Sequence, residues 1–183
     1  MKKLLFYFAI AVFGIANLNA QDVKFGVKGG LNFASIYGDD VPKSPEVTAF
    51  HFGVMAEIPI SDKFSFQPEL MYSGQGYALD KNTVELNYIN VPLMAKYYVT
   101  NKFSAEVGPQ MGFLASAKNE SLDIKDQLKN TDFGLNFGLG YKLDSGLNFG
   151  ARYNIGLSNI NDVSGISNKN QNGVFQFSVG YFF

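Results

Sequence analysis

The chain has 183 residues, with no cysteine, no tryptophan and a single histidine, and 15 basic against 16 acidic residues leave a formal charge of −1. That balance excludes a broad basic surface, and nucleic acid with it as a partner. The missing cysteines exclude a disulfide framework and thiol chemistry, and one histidine cannot assemble a recognisable ligand set, so no metal and no cofactor are expected.

Met1-Lys2-Lys3, the apolar run LLFYFAIAVFGIA and then Asn17-Leu18-Asn19-Ala20 form a basic start, a short greasy core and a small residue at a cleavage point. This predicts a secretory signal peptide over 1–20 and one domain over 21–183. The apolar run falls short of the ~20 residues a spanning helix needs. Cleavage after Ala20 removes Lys2 and Lys3 and takes the charge from −1 to −3.

Lys24 to Tyr37 sets Phe25, Val27, Leu31 and Phe33 against Lys24, Gly26, Lys28, Gly30 and Asn32. Side chains alternate across a strand, so this period of two predicts β-structure. A loop with Asp39, Asp40, Pro42 and Pro45 leads to Thr48–Ile58, where Phe50, Phe52, Val54 and Ile58 oppose His51, Gly53, Met55 and Glu57. After the turn Ser61-Asp62-Lys63, the stretch Phe64–Tyr77 sets Phe66, Leu70 and Tyr72 against Gln67, Glu69, Ser73 and Gln75. A fourth strand ends at Val99, and Thr100-Asn101-Lys102 turns into a fifth, Phe103–Ala117, with Glu106, Gln110 and Gly112 on its polar face. Lys118 to Thr131 reads as a charged loop. DFGLNFGLGYKL and LNFGARYNIGLS, joined by Asp144-Ser145-Gly146, form the clearest hairpin, with Leu135 and Phe149 on its apolar face. A polar loop from Asn159 to Asn172 precedes the eighth strand, Val174–Phe183.

The polar faces of these strands are mostly Gly, Asn and Ser, whereas strands wetted by bulk water favour Lys, Glu and Thr. Glycine on an exposed strand costs entropy and packs nothing, but it suits a narrow lumen where chains approach closely. The apolar face is broad and aromatic. Apolar out and polar in is the pattern of an outer-membrane barrel, and strands of ~9–11 residues suffice to span. The connections after the second, fourth and sixth strands are short, and most of the others are longer. The expected fold is therefore all-β: an eight-stranded antiparallel up-and-down transmembrane barrel with short periplasmic turns and longer extracellular loops. Phe25, Phe64, Tyr97, Phe103, Tyr141 and Phe183 fall near the turns, and Phe33, Phe50, Tyr72, Phe113, Phe133 and Phe175 near the loops, as two interfacial girdles would. A soluble lipocalin-like barrel is the alternative fold.

In the fourth strand the apolar residues change phase, from Leu86 and Tyr88 to Ile89, Val91, Leu93, Ala95 and Tyr97. This predicts a bulge between Tyr88 and Pro92, since Pro92 cannot donate to a ladder. Pro68 and Pro109 raise the same difficulty without a visible slip.

Tyr88-Ile89-Asn90-Val91-Pro92-Leu93-Met94-Ala95-Lys96-Tyr97 resembles a Tyr-Ile/Leu-x-Ile/Val-Pro-Leu-x-x-Lys-Tyr stretch of the PorT-like outer-membrane barrels of Bacteroidetes-type bacteria. Phe25-Gly26-Val27-Lys28-Gly29-Gly30-Leu31-Asn32 and the terminal Tyr181-Phe182-Phe183 resemble that family's opening and ending. The likeness implies an eight-stranded barrel whose terminal aromatic, Phe183, is read by the barrel assembly machinery. It implies no single activity; the eponymous member is linked to a protein secretion system.

Candidate chemistry is thin. His51 with Ser73 or Ser116 would be needed for a lipid-modifying enzyme, and a lumen polar residue is the simpler reading of His51. Asp39-Asp40 with Glu46 reads as a solvated loop. The inward charges say more: Lys24, Lys28, Glu57, Glu69, Lys96, Glu106, Lys142 and Arg152. An eight-stranded lumen is just wide enough for side chains, so these charges must pair or be hydrated. Lys96 and Glu106 lie five residues either side of Asn101 and are expected directly opposite one another. A coarser count pairs Lys28 with Glu57 and sets Glu69 and Arg152 across the lumen. The expected function is a non-catalytic outer-membrane barrel with a salt-bridge-plugged lumen, acting through its loops. Its partners are outer-membrane lipid and lipopolysaccharide, the assembly machinery during insertion, and an unidentified protein at the extracellular loops. A narrow porin-like channel is the alternative; a lipid-modifying enzyme or a secretion-system component is more remote.

Overall fold

A computed structural model describes residues 23–38, 46–79, 82–162 and 169–183. The expected signal peptide over 1–20 and the Asp39-Asp40 loop lie outside the described residues. The strands are β1 (Lys24–Gly38), β2 (Val47–Pro59), β3 (Phe64–Leu79), β4 (Asn82–Tyr98), β5 (Phe103–Asn119), β6 (Leu122–Asp123), β7 (Thr131–Lys142), β8 (Leu147–Gly156) and β9 (Asn170–Phe182). Eight of them form one wall in the order β4-β3-β2-β1-β9-β8-β7-β5, and pairing of β4 with β5 closes the ring. The two-residue β6 only folds back on the end of β5. A closed antiparallel ring leaves no unpaired sheet edge, which is what a backbone surrounded by hydrocarbon requires.

The faces divide as the alternation predicts. Phe50, Phe52, Leu70 and Phe177 are each more than half exposed on the outside. Asn32, His51, Glu69, Asn136 and Arg152 are buried inside. The turns are closed by their own residues. Ser61 Oγ accepts from the Phe64 N–H at 3.2 Å. Thr100 Oγ1 accepts from the Phe103 N–H at 3.0 Å. Gly146 has φ +93°, and a Cβ there would stand 2.4 Å from the Phe182 carbonyl oxygen, so this turn position admits glycine alone.

Two expectations for the middle of the wall are corrected. β4 does not change phase: Leu86, Tyr88, Asn90, Met94 and Lys96 are all buried on the lumen side. The bulge lies in β5 instead. Pairing steps from Tyr88↔Leu114 to Asn87↔Ser116, which makes Ala115 the extra residue. The sequence mimics a slip in β4 because the outer part of the lumen is itself apolar. The three prolines stand where ladders are interrupted without a register change. The β3–β4 ladder pairs Pro68 with Leu93 and resumes at Met71↔Asn90. The β4–β5 ladder pairs Pro92 with Gln110 and resumes at Ala95↔Val107, stepping over Pro109. Missing N–H donors are gathered at one place in the wall.

Candidate functional site

The lumen is filled in layers, beginning at the end with the short turns. There Glu57 from β2 accepts from Lys142 Nζ at 2.5 Å, Lys96 Nζ at 3.4 Å and Tyr98 Oη at 2.9 Å. The same ammonium groups stand over the aromatic faces beneath them, Lys142 at 5.0 Å from the Tyr98 ring and Lys96 at 5.9 Å from the Phe182 ring. Lys96 also reaches Glu106 at 3.2 Å and Gln67 Oε1 at 3.0 Å.

One step further in, Glu69 is clamped from two sides. Arg152 reaches across the lumen from β8 and donates through both terminal nitrogens, at 3.0 and 2.9 Å. Lys28 from β1 closes on the same carboxylate at 2.6 Å. Arg152 also bridges to Glu106 at 3.1 Å, which joins the two carboxylates into one network. Gly140 makes room for it, since a Cβ there would lie 2.5 Å from Glu106 Oε1. A planar guanidinium is suited to holding two carboxylates at once, which a lysine would do less specifically.

Lys96 and Glu106 thus stand directly opposite in register, as counted from their turn. Lys28 and Glu57 are not a pair. Lys24 is the register partner of Glu57, and Lys28 lies opposite Gly53. The β1–β2 loop is long, so its length cannot set a register, whereas a tight turn does. Lys24 lies exposed at the rim rather than in the lumen. Glu106→Gln and Lys96→Met should couple, with the double variant departing from additivity by about 0.5–3 kcal/mol in a refolding titration. Strict additivity would mean that the two side chains do not share a bond.

The middle layer is neutral and hydrogen-bonded around His51. Asn32 Nδ2 donates to Ser73 Oγ and the Gly74 carbonyl, at 3.0 and 2.6 Å, so Asn32 Oδ1 faces His51 Nδ1 at 2.7 Å as acceptor. The imidazole then carries its proton on Nδ1, and Nε2 accepts from Ser178 Oγ at 2.8 Å. Serine, histidine and an orienting amide recur in hydrolases. Here His51 and Asn32 are buried, and Gln176 ties Asn32 Oδ1 down at 2.9 Å. The space beside Ser178 is a cavity of about 30 Å³. That is room for one water and not for an acyl substrate. The serines weighed from the sequence lie elsewhere: Ser73 bonds Asn32 and Gln75, and Ser116 bonds Asn87. Ser178 escaped notice because β9 stands on the far side of β1 from β2, a placement that ring closure sets and no turn does.

The outer end is capped with apolar side chains: Ile36, Val84, Leu86, Tyr88, Leu114, Ala117, Leu128 and Ile160 pack together there. Leu128 and Ile160 come from loops that are themselves tied, by the Leu128↔Asn161 bridge and a Lys129 N–H to Ile160 carbonyl bond of 2.9 Å. No group of three His, Cys, Asp or Glu side chains suited to a metal occurs among the described residues. Of the residues resembling the PorT-like pattern, Tyr88, Pro92 and Lys96 face the lumen, and Tyr97 and Phe183 are exposed on the outside.

Residues 19–162 match the family described as outer membrane protein beta-barrel domain. No curated protein matches the chain. Among solved structures, Neisserial surface protein A is similar at a TM-score of 0.59 and 15% identity, covering 87% of this chain and 97% of its own. Ail, the attachment invasion locus protein of Yersinia pestis, is similar at a TM-score of 0.52 and 9% identity, covering 87% of this chain and 98% of its own. At such identities the likeness is one of fold. A closed ring of eight strands, an apolar outer face and a family match over most of its length lead to one conclusion: the chain belongs to the outer membrane protein beta-barrel domain family, and its place is the bacterial outer membrane.

Proposed function

We propose that this is a non-catalytic barrel whose lumen is a structural plug and whose work is done by its extracellular loops. The observation that carries the reading is the filling of the bore along its length. The ion network closes the periplasmic half, the His51 layer the middle, and the apolar cap the outer end. A solute passing through would have to break buried ion pairs, which makes a channel the weaker reading. The tied loops at 120–130 and 157–162 give the outer end a set shape on which a protein or a lipopolysaccharide headgroup can rest. Two barrels of this fold carry names that speak of the cell surface, one a surface protein and the other an attachment invasion locus protein. Within the family, the Tyr88–Tyr97 stretch supports a PorT-like placement. A secretion-system role rests on that likeness alone.

Planar-bilayer recording tests the plug. The purified barrel should give no steady unitary current across the physiological voltage range. A reproducible ohmic step would overturn the reading in favour of the narrow channel.

A further inference from the structure

We infer that the periplasmic half of the lumen binds one small monovalent anion, of the size and charge of chloride. Three separate observations converge on it. The first is a charge count. Lys28, Lys96, Lys142 and Arg152 face Glu57, Glu69 and Glu106, four cations against three carboxylates, an excess of one positive charge. Lys24 does not alter the count because it is solvated at the rim. Asp132 does not cancel it either. It lies six residues along β7 from Gly138, the register partner of Arg152, which is ~20 Å at the rise of a strand.

The second observation is a cavity of about 30 Å³ against these charges. All four cations line it, whereas Glu106 is the one carboxylate that does. Gly150 leaves that wall open, since a Cβ there would meet nothing nearer than 3.9 Å. It has the volume of a single water, which suits a halide and excludes phosphate or sulfate. The third is an orphan donor. Asn148 lines the same cavity, and its buried Nδ2 has no hydrogen-bond partner. A buried amide N–H₂ without an acceptor is costly, as is an uncompensated buried charge. One anion between Asn148 and the lysines satisfies both and leaves every cation charged. The inference concerns the charge balance of the network and holds whether or not the bore conducts.

The test compares urea midpoints of the refolded barrel in sodium chloride, bromide and gluconate at one ionic strength. Chloride and bromide should raise the midpoint saturably, and gluconate, too large for the cavity, should not. At a halide concentration one hundred times the dissociation constant, the folding equilibrium should rise about a hundredfold. Asn148→Asp supplies a fixed negative charge in place of the anion and should abolish the halide dependence. Lys102→Ala, outside the lumen, should keep it. Equal midpoints in all three salts for the natural chain overturn the inference. A halide dependence that survives Asn148→Asp overturns it as well.

Discussion

Glu69→Gln should cost the barrel about 3–5 kcal/mol in a urea refolding titration, the range for removing one partner of a buried ion pair. Glu69 is the most enclosed of the three lumen carboxylates, with a side chain at 0% exposure. It holds Arg152 through both terminal nitrogens and Lys28 at 2.6 Å. The amide keeps the shape and removes the charge, so two cations would face Glu106 alone. The companion measurement is Glu69→Gln with Lys28→Met, which takes one stranded cation away and should recover part of the loss. If Glu69→Gln falls within about 0.5 kcal/mol of the natural chain, the network carries no stability and the plug is ornamental.

Leu70→Arg should cost about 2–4 kcal/mol in lipid, the midplane value for a cation on the outer face of a barrel. Leu70 sits near the middle of β3 opposite Val54, and the two are 52% and 53% exposed. Phe149, on the apolar face of the hairpin, is the third residue of β8 and stands close to the periplasmic turn. Phe183→Arg, at the end of the chain, should cost only about 0–1 kcal/mol by the same depth dependence. The pair separates a membrane barrel from a water-soluble one, where exchanging an exposed leucine for arginine would be close to neutral. Equal and small effects at both positions would contradict the bilayer setting.

How much of this was legible depended on what each residue's neighbours fix. The faces and the tight turns could be read because a period of two and a four-residue turn are local facts. Lys96 opposite Glu106 followed from such a turn by counting. The count failed for Lys28 across a long loop, and β1 and β2 met with Lys24 against Glu57 instead. Tyr88 and Leu86 were misread because polarity stood in for direction. In the outer third of the lumen the inside is as apolar as the outside, so alternation there loses its meaning. The His51–Ser178 bond was invisible for another reason. It spans the seam between the two ends of the chain, a neighbourhood that closure alone creates.

That seam has a consequence for how the wall can be completed. Each strand of the ring other than β9 carries at least one acidic or basic residue, and Asn170–Phe182 carries none. β9 is the strand that docks between β8 and β1. Its docking is thus an electrically silent step: no formal charge is dragged through hydrocarbon, where each would cost several kcal/mol.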